Sequence, residues 1–397
     1  MKFDAYDTDA LMDIAARPPV VFVRGEGSWL IDHRGKRYLD FVQGWAVNCL
    51  GHCPPEIVET LAAQARRLIS PSAAFFDDAA IDLAHRLARL SALDRIFLAS
   101  SGAEANEGAI KLARKWGALH KGGAWQIVTF VDAFHGRTLA TMSASGKAGW
   151  DRLFEPKVPG FPKASLNDLD SVQCLIGPET VAIMVEPIQG EAGVVLAQDD
   201  FLRALRALCD RHGLLLILDE VQTGVGRTGR MFAGEHASVK PDIMTLGKGL
   251  GGGVPLSALL ASRKASCFAH GDQGGTYCGN PLMAAVGSAI VDRVSQPQFL
   301  EGVRLREQHL VRRLRDLVGR RGLVAERGRG LLRAVDLGRP LAAQLVDAAR
   351  DLQPEGLLVN APRPHVLRLM PALNIGLEEI DRMIELLEQA MNAVTAG

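Results

Sequence analysis

The chain has 397 residues, Lys plus Arg and Asp plus Glu balanced at 45 each, and 48% hydrophobic residues. Such a balance gives no field favouring nucleic acid or an anionic membrane, and makes a small neutral or zwitterionic ligand the default. Scattered cysteines, apolar runs too short to span a bilayer, and a polar start without a targeting segment lead us to expect a cytoplasmic protein with reduced thiols.

Residues 20–41, VVFVRGEGSWLIDHRGKRYLDF, alternate short β-type runs with turn residues and predict an antiparallel meander. Cys49, His52 and Cys53 resemble half a zinc site, but no second Cys/His pair has matching spacing, so no metal is expected. From about 55 to 290, helical stretches alternate with the apolar runs DRIFLAS, WQIVTFV, VAIMVEP, LLLILDEV and DIMTLG. Continuous apolar strands between helices predict a mostly parallel sheet covered on both faces. The final third starts with the helical NPLMAAVGSAIVDRV and ends in a helix with Ile380, Met383, Ile384, Leu387 and Met391 on one face. The fold class is therefore α/β, with a large domain at 55–290 and a smaller α+β domain assembled from 1–54 and 291–397.

Unusual residues gather at the ends of the central strands, where open α/β sheets bind ligands. After IFLAS, Ser101, Gly102 and Ala103 stand where a strand gives way to a helix N-terminus. Uncovered N–H groups there can seat a phosphate, although the serine can equally be a plain helix cap. Phe134 and Arg137 bracket the turn of FHGRT. Asp219 and Glu220 end the apolar LLLIL run, with Gln222 beyond them. A carboxylate in that position is costly unless it meets a cation or donors: a protonated ring nitrogen, or an arginine such as Arg227.

Lys248 follows DIMTLG among glycines. GKGLGG matches G-x-G-x-x-G at Gly247, Gly249 and Gly252, but that motif opens a helix, and here Val254, Pro255 and SALLAS read as a turn entering a strand. A phosphate-binding P-loop fails too, because Asp242 and Gly249 occupy its glycine and hydroxyl positions. A phosphate seat, an aromatic face, a carboxylate and an amine thus converge on one sheet edge. Pyridoxal 5'-phosphate would use all four: Lys248 condenses with its aldehyde and Asp219 keeps its pyridine nitrogen protonated. The glycines around Lys248 are expected to let the backbone bring the amine close.

The ordered series VRGEGSWLIDHRGKRYLDF, GHCPPEIV, SGAEANEGAIKLAR, FHGRT, EPIQGEAGV, LDEVQTGVGRTG, TLGKGLGGGVPL, GGTYCGNPL and LRLMPAL resembles the class III (ω-amino-acid) aminotransferases of fold type I, most closely the acetylornithine and ornithine branch. That resemblance implies a homodimer with both sites at the interface. It also implies that Ser101, Gly102 and Ala103 hold the cofactor phosphate, that Phe134 covers the ring, and that Glu220, Val221 and Gln222 lie beside it with Asp219. Thr276 is expected to reach the phosphate from the other subunit. Arg137 resembles the clamp for the donor's remote carboxylate. Arg368 resembles the arginine for the α-carboxylate of 2-oxoglutarate, and Glu191 the acid that neutralises it when the ω-amine donor is bound.

The activity so implied is transfer of the δ-amino group of N2-acetyl-L-ornithine to 2-oxoglutarate, a step of arginine biosynthesis. Ornithine, N-succinylornithine, 4-aminobutyrate and diamines are rival donors. A single-substrate aminomutase and a catalytically silent binding protein are rivals of other classes. The sequence departs from the family at Gly108, Ala192 and Gly275. Gly275 stands where the acetylornithine branch has a serine able to donate to the substrate, so a looser hold on acetylornithine is expected.

Overall fold

A computed structural model describes residues 2–3, 6–321 and 323–395. Its centre is a seven-stranded sheet with the order 95–99, 257–261, 243–246, 215–219, 180–185, 126–130 and 163–164. Strand Ser257–Ala261 runs antiparallel to both neighbours, and the other pairings are parallel. The sheet is accordingly mixed but mostly parallel, as the interleaved apolar runs predict.

Period-two alternation explains why these strands are apolar throughout. In strand Leu215–Asp219, Leu215 and Ile217 join a core with Ala109, Ile110 and Ala113 of the helix Gly102–His120. Leu216 and Leu218 enter a second core with Phe201, Leu202 and Leu205 of the helix Asp199–His212. Strand Thr180–Val185 divides in the same way, Ala182 and Met184 to the first core and Ile183 and Val185 to the second. Each such aliphatic side chain, removed from water, contributes roughly 1.5–3 kcal/mol.

Both ends of the chain share one smaller sheet. The meander Phe22–Glu26, Trp29–Asp32 and Arg37–Asp40 is antiparallel, and strand Glu355–Leu358 adds to it in parallel. A second small sheet is the hairpin Ala325–Arg329 with Leu332–Asp336, extended by Val366–Leu369 and Asn360–Arg363. The closing helix Leu377–Thr395 buries Ile380, Met383, Ile384, Leu387 and Met391. Among the described residues no helix is long and apolar enough to cross a membrane.

The helix Gly102–His120 approaches the sheet closely at Gly117. A Cβ built there would lie 1.8 Å from the Ala124 carbonyl oxygen and 2.8 Å from Val181 Cγ2. The neighbours are backbone and a core side chain, so neither can yield without moving the strand. Gly117→Ala is expected to destabilise the protein by roughly 1–3 kcal/mol, the scale of core overpacking. A thermal melt checks this, and a Tm equal to that of the parent would show that the helix shifts freely.

Candidate active site

The same alternation separates Asp219 from Glu220. Asp219 continues the parity of Leu215 and Ile217, so its carboxylate turns toward the helix Gly102–His120. There Asn106 Nδ2 donates to Asp219 Oδ2 at 2.8 Å, and His135 Nδ1 lies 2.7 Å from the same oxygen. The Val221 N–H donates to Oδ1 at 3.1 Å. Asn106 is itself fully used, donating to the His135 carbonyl at 2.7 Å and accepting from Thr245 Oγ1 at 2.7 Å. Arg227, the alternative partner, donates instead to the carbonyls of Leu331 and Pro371. Asp219 therefore meets neutral donors and a histidine rather than an arginine, and Oδ1 keeps acceptor capacity for a further donor.

Glu220 corrects the expectation that it touches a cofactor. Its parity sends it to the opposite face, where it accepts from the N–H groups of Ala233 and Gly234 and from Thr223 Oγ1. Burial raises its carboxyl to about 7. It fastens a turn and does not line the cavity described next.

A cavity of about 290 Å³ lies at the strand ends, and Lys248, Asp219, Glu186, Phe134 and Gln222 are among its walls. Gly102 and Ala103 form another wall at the helix N-terminus. Ser101 is the helix cap, accepting from the Glu104 N–H at 3.3 Å, so the plain capping alternative describes its hydroxyl. Val221 also lines the cavity and packs over Gly102 and Gly247, where a Cβ would approach it to 2.7 and 3.2 Å. The glycines near Lys248 thus provide close approach, while the left-handed backbone is carried by Lys248 itself at φ 42°.

Lys248 is surrounded by charge. Burial, then the nearby Arg368 guanidinium, lower its amine below the usual lysine range, against the pull of Asp219, Glu186 and Glu191. Glu186 accepts from the Phe134 N–H at 2.9 Å, and burial followed by the Asp219 charge pushes its carboxyl well above the ordinary range. Glu186 is thereby a buried acid whose ionisation is opposed by burial and by Asp219, and sequence reasoning missed it. The signal was present, since it ends the apolar Thr180–Val185 strand as Asp219 ends its own. Asn106, His135 and Trp45 were missed as well.

Arg368, on the strand Val366–Leu369, is fully buried. It donates to Asn360 Oδ1 at 2.9 Å and to Glu191 Oε1 at 2.7 Å, and its Nη1 has no hydrogen-bond partner among the described residues. The guanidinium and its hydrogen bond hold the Glu191 carboxyl below the usual range despite burial. Trp45 lies over Arg368, with its ring centroid 5.6 Å from Cζ. It sits in a run of left-handed residues, Gln43 to Ala46, and its carbonyl meets Gln222 Nε2 at 3.5 Å. Gly190 lies beside them, and a Cβ there would fall 1.7 Å from Gln222 Oε1 and so displace that amide.

Arg137 lines the same cavity from an exposed position. Thr276 and Gly275 do not. Thr276 lines a separate concavity with Phe75, Phe76 and Cys278, and Gly275 is exposed near Cys278 and Glu104. His52 pairs with Asp40 at 2.9 Å, and Cys49 donates to the Gly249 carbonyl.

The residues present suit pyridoxal phosphate. The buried lysine amine, the acceptor capacity of Asp219 and the backbone at Gly102 and Ala103 border one space, and the Arg368 guanidinium lies close enough to depress that amine.

Comparison with known proteins agrees. The family model described as aminotransferase class-III matches residues 12–391. The chain is 59% identical to acetylornithine aminotransferase 2 of Bordetella bronchiseptica, over 99% of this chain and 100% of that protein. It is similar to the crystal structure of N-acetylornithine aminotransferase from Stenotrophomonas maltophilia, at 35% identity and TM-score 0.83, over 95% of this chain and 96% of that one. The ornithine aminotransferase of Toxoplasma gondii, described with partial occupancy of PLP at its active site, is 32% identical with TM-score 0.92, over 98% of this chain and 93% of that one. With its site and its whole length in accord, the chain belongs to the class-III aminotransferases, which depend on pyridoxal phosphate.

Proposed function

We propose that this enzyme transfers the δ-amino group of N2-acetyl-L-ornithine to 2-oxoglutarate, giving N-acetyl-L-glutamate 5-semialdehyde and L-glutamate, as a cytoplasmic step of arginine biosynthesis. The observation that carries the reading is the placement of two arginines around Lys248, Arg368 buried with one Nη free and Arg137 exposed at the rim. A guanidinium fork matches a carboxylate; acetylornithine carries one, remote from its δ-amine, and 2-oxoglutarate carries two, so two arginines serve both substrates at the same amine. The 59% identity to acetylornithine aminotransferase 2 supports the choice of donor.

When bound, pyridoxal phosphate supplies an aldehyde to condense with and a ring that accepts electrons. Lys248 holds it covalently and, once released, takes the proton from the donor's δ-carbon. Burial, which lowers its amine below the usual lysine range, favours the neutral form that the task needs. Asp219, kept in place by Asn106 and His135, holds the proton on the ring nitrogen. Gly102 and Ala103 receive the phosphate at their N–H groups, Phe134 covers the ring, and Val221 and Gln222 border it. Arg137 grips the donor's remote carboxylate. Glu191 occupies Arg368 while the donor is bound and yields it to the α-carboxylate of 2-oxoglutarate.

We further propose a homodimer in which Thr276 completes the phosphate site of the partner subunit. Support comes from the exposed Phe75, Phe76 and Tyr277 near Thr276, and from its distance from its own chain's cavity lining. The division into a large domain at 55–290 and a small one from 1–54 and 291–397 is part of the same reading. The seven-stranded sheet lying within 95–261 supports it.

Lys248→Ala is expected to keep some cofactor through phosphate and ring contacts while losing the yellow colour of the lysine-bound form and nearly all turnover. Borohydride reduction followed by peptide mapping should label Lys248. A label on Lys111 or Lys264 would overturn the assignment.

The arginines are separated by donor choice. Arg137→Ala should weaken acetylornithine by roughly 2–4 kcal/mol in kcat/KM and spare simple diamines, the scale for breaking a charged, partly buried contact. Arg368→Ala should chiefly hurt 2-oxoglutarate. Steady-state kinetics with several donors against 2-oxoglutarate checks both. A best donor lacking the acyl group, or turnover without any oxo acid, would point to another member of the class or to an aminomutase.

A further inference from the structure

The edge strand Lys163–Ala164 runs parallel to Gln126–Phe130, in a register that sets Lys163 beside Thr129. From there its side chain reaches the end of the short helix Leu139–Ala144. The amine donates to the carbonyls of Ser143 at 2.8 Å and Ala144 at 2.7 Å, and to Thr129 Oγ1 at 2.7 Å. The last carbonyls of a helix find no partner inside it, so this amine closes the helix. All three acceptors are neutral.

Charged groups facing Lys163 offer it no carboxylate partner among the described residues. Lys163 and Arg114 both lie over the Phe161 ring, at 5.6 and 5.1 Å from its centroid. A cavity of about 430 Å³ beside it is lined by Lys147 and Lys157, with Asp151 as its only acidic side chain. Burial without a counter-charge lowers the Lys163 amine to about 7.

The helix closed by Lys163 begins at the arginine loop. The Thr138 N–H donates to Thr141 Oγ1 at 3.0 Å. Just past the helix, Ser145 Oγ accepts from the His135 N–H at 2.9 Å and donates to the Thr141 carbonyl at 2.7 Å. Both ends of the helix are thus tied to the segment that carries Phe134 and Arg137, and Gly136 is wedged against Thr141 and Ala103.

We propose that Lys163 is a positioning residue for substrate selection, clamping the helix Leu139–Ala144 so that Arg137 is held where it meets the donor's remote carboxylate. The inference rests on the reading of Arg137 given above. An ammonium has a proton for each of the three acceptors, whereas a neutral amine has two, so deprotonation frees one acceptor and loosens the clamp. Because the amine titrates near 7, the clamp is complete below that pH and weakens as pH rises through it.

The test uses the holoenzyme and compares Lys163→Met, Lys163→Gln and Arg137→Ala with the parent across the neutral pH range. KM and kcat are measured for acetylornithine and for 1,4-diaminobutane, which lacks a carboxylate. In Lys163→Met the acetylornithine KM should rise by roughly threefold to tenfold, the effect of losing about one hydrogen bond's worth of positioning, with the diamine KM and cofactor content unchanged. In the parent, the ratio of the two KM values should climb as pH passes about 7. In both Lys163 variants that ratio should be independent of pH, and Lys163→Gln, which retains two donors, should show the smaller rise. If Arg137→Ala discriminates between the donors but neither Lys163 variant does, or if the variants keep the parent's pH dependence, the proposal about Lys163 is wrong. If Arg137→Ala treats both donors alike, the Arg137 reading falls and this one falls with it.

Discussion

The structure depends on holding a carboxylate at the end of a strand that is otherwise entirely aliphatic. Removing Asp219 from water carries a desolvation cost of several kcal/mol, which must be offset locally. Asn106, His135 and the Val221 N–H supply that offset, and each comes from a different element. The helix Gly102–His120, the FHGRT loop and the central strand are therefore tied together by the group that, in the proposed function, keeps the ring nitrogen protonated. On that reading stability and catalysis draw on the same hydrogen bonds.

Around this anchor, charges are arranged so that neighbours set one another's state. Glu186 shares the cavity with Asp219 and, through burial and then that neighbour's charge, has its carboxyl pushed well above the ordinary range. Glu191 is held ionised by Arg368. Two glutamates five positions apart are thus shifted in opposite directions, because burial prevails at one and the Arg368 guanidinium at the other. A site that alternates between two acids needs a movable counter-charge, and Glu191, a third exposed, is free to leave where Glu186 is not.

Much of this was legible in the sequence, for definite reasons. Strand ends after apolar runs announced Asp219, and a lysine among glycines after another announced Lys248. The alternation within LLLILDE also separates Asp219 from Glu220, but only once it is known which face each helix covers. That is why Glu220 was expected in the site and lies outside it. His135 and Asn106 gave little warning, since an asparagine within a helix and a histidine in a turn acquire meaning only when a third element brings Asp219 between them. Trp45 gave none: its place over Arg368 depends on left-handed backbone at residues other than glycine, which no local preference favours. Lys163, two residues from an ordinary glycine–phenylalanine turn, is distinguished only by the carbonyls that surround it.

The positive φ of Lys248 has a bearing on how this protein can change. A side-chain-bearing residue in that region costs on the order of 1 kcal/mol, and glycine adopts it without penalty. Considered for folding alone, the position would go to glycine, which has no amine with which to bond the cofactor. A lineage that lost its need for turnover would gain stability by the very replacement that abolishes chemistry, so inactive descendants of this fold should be sturdier apoproteins than their working ancestor.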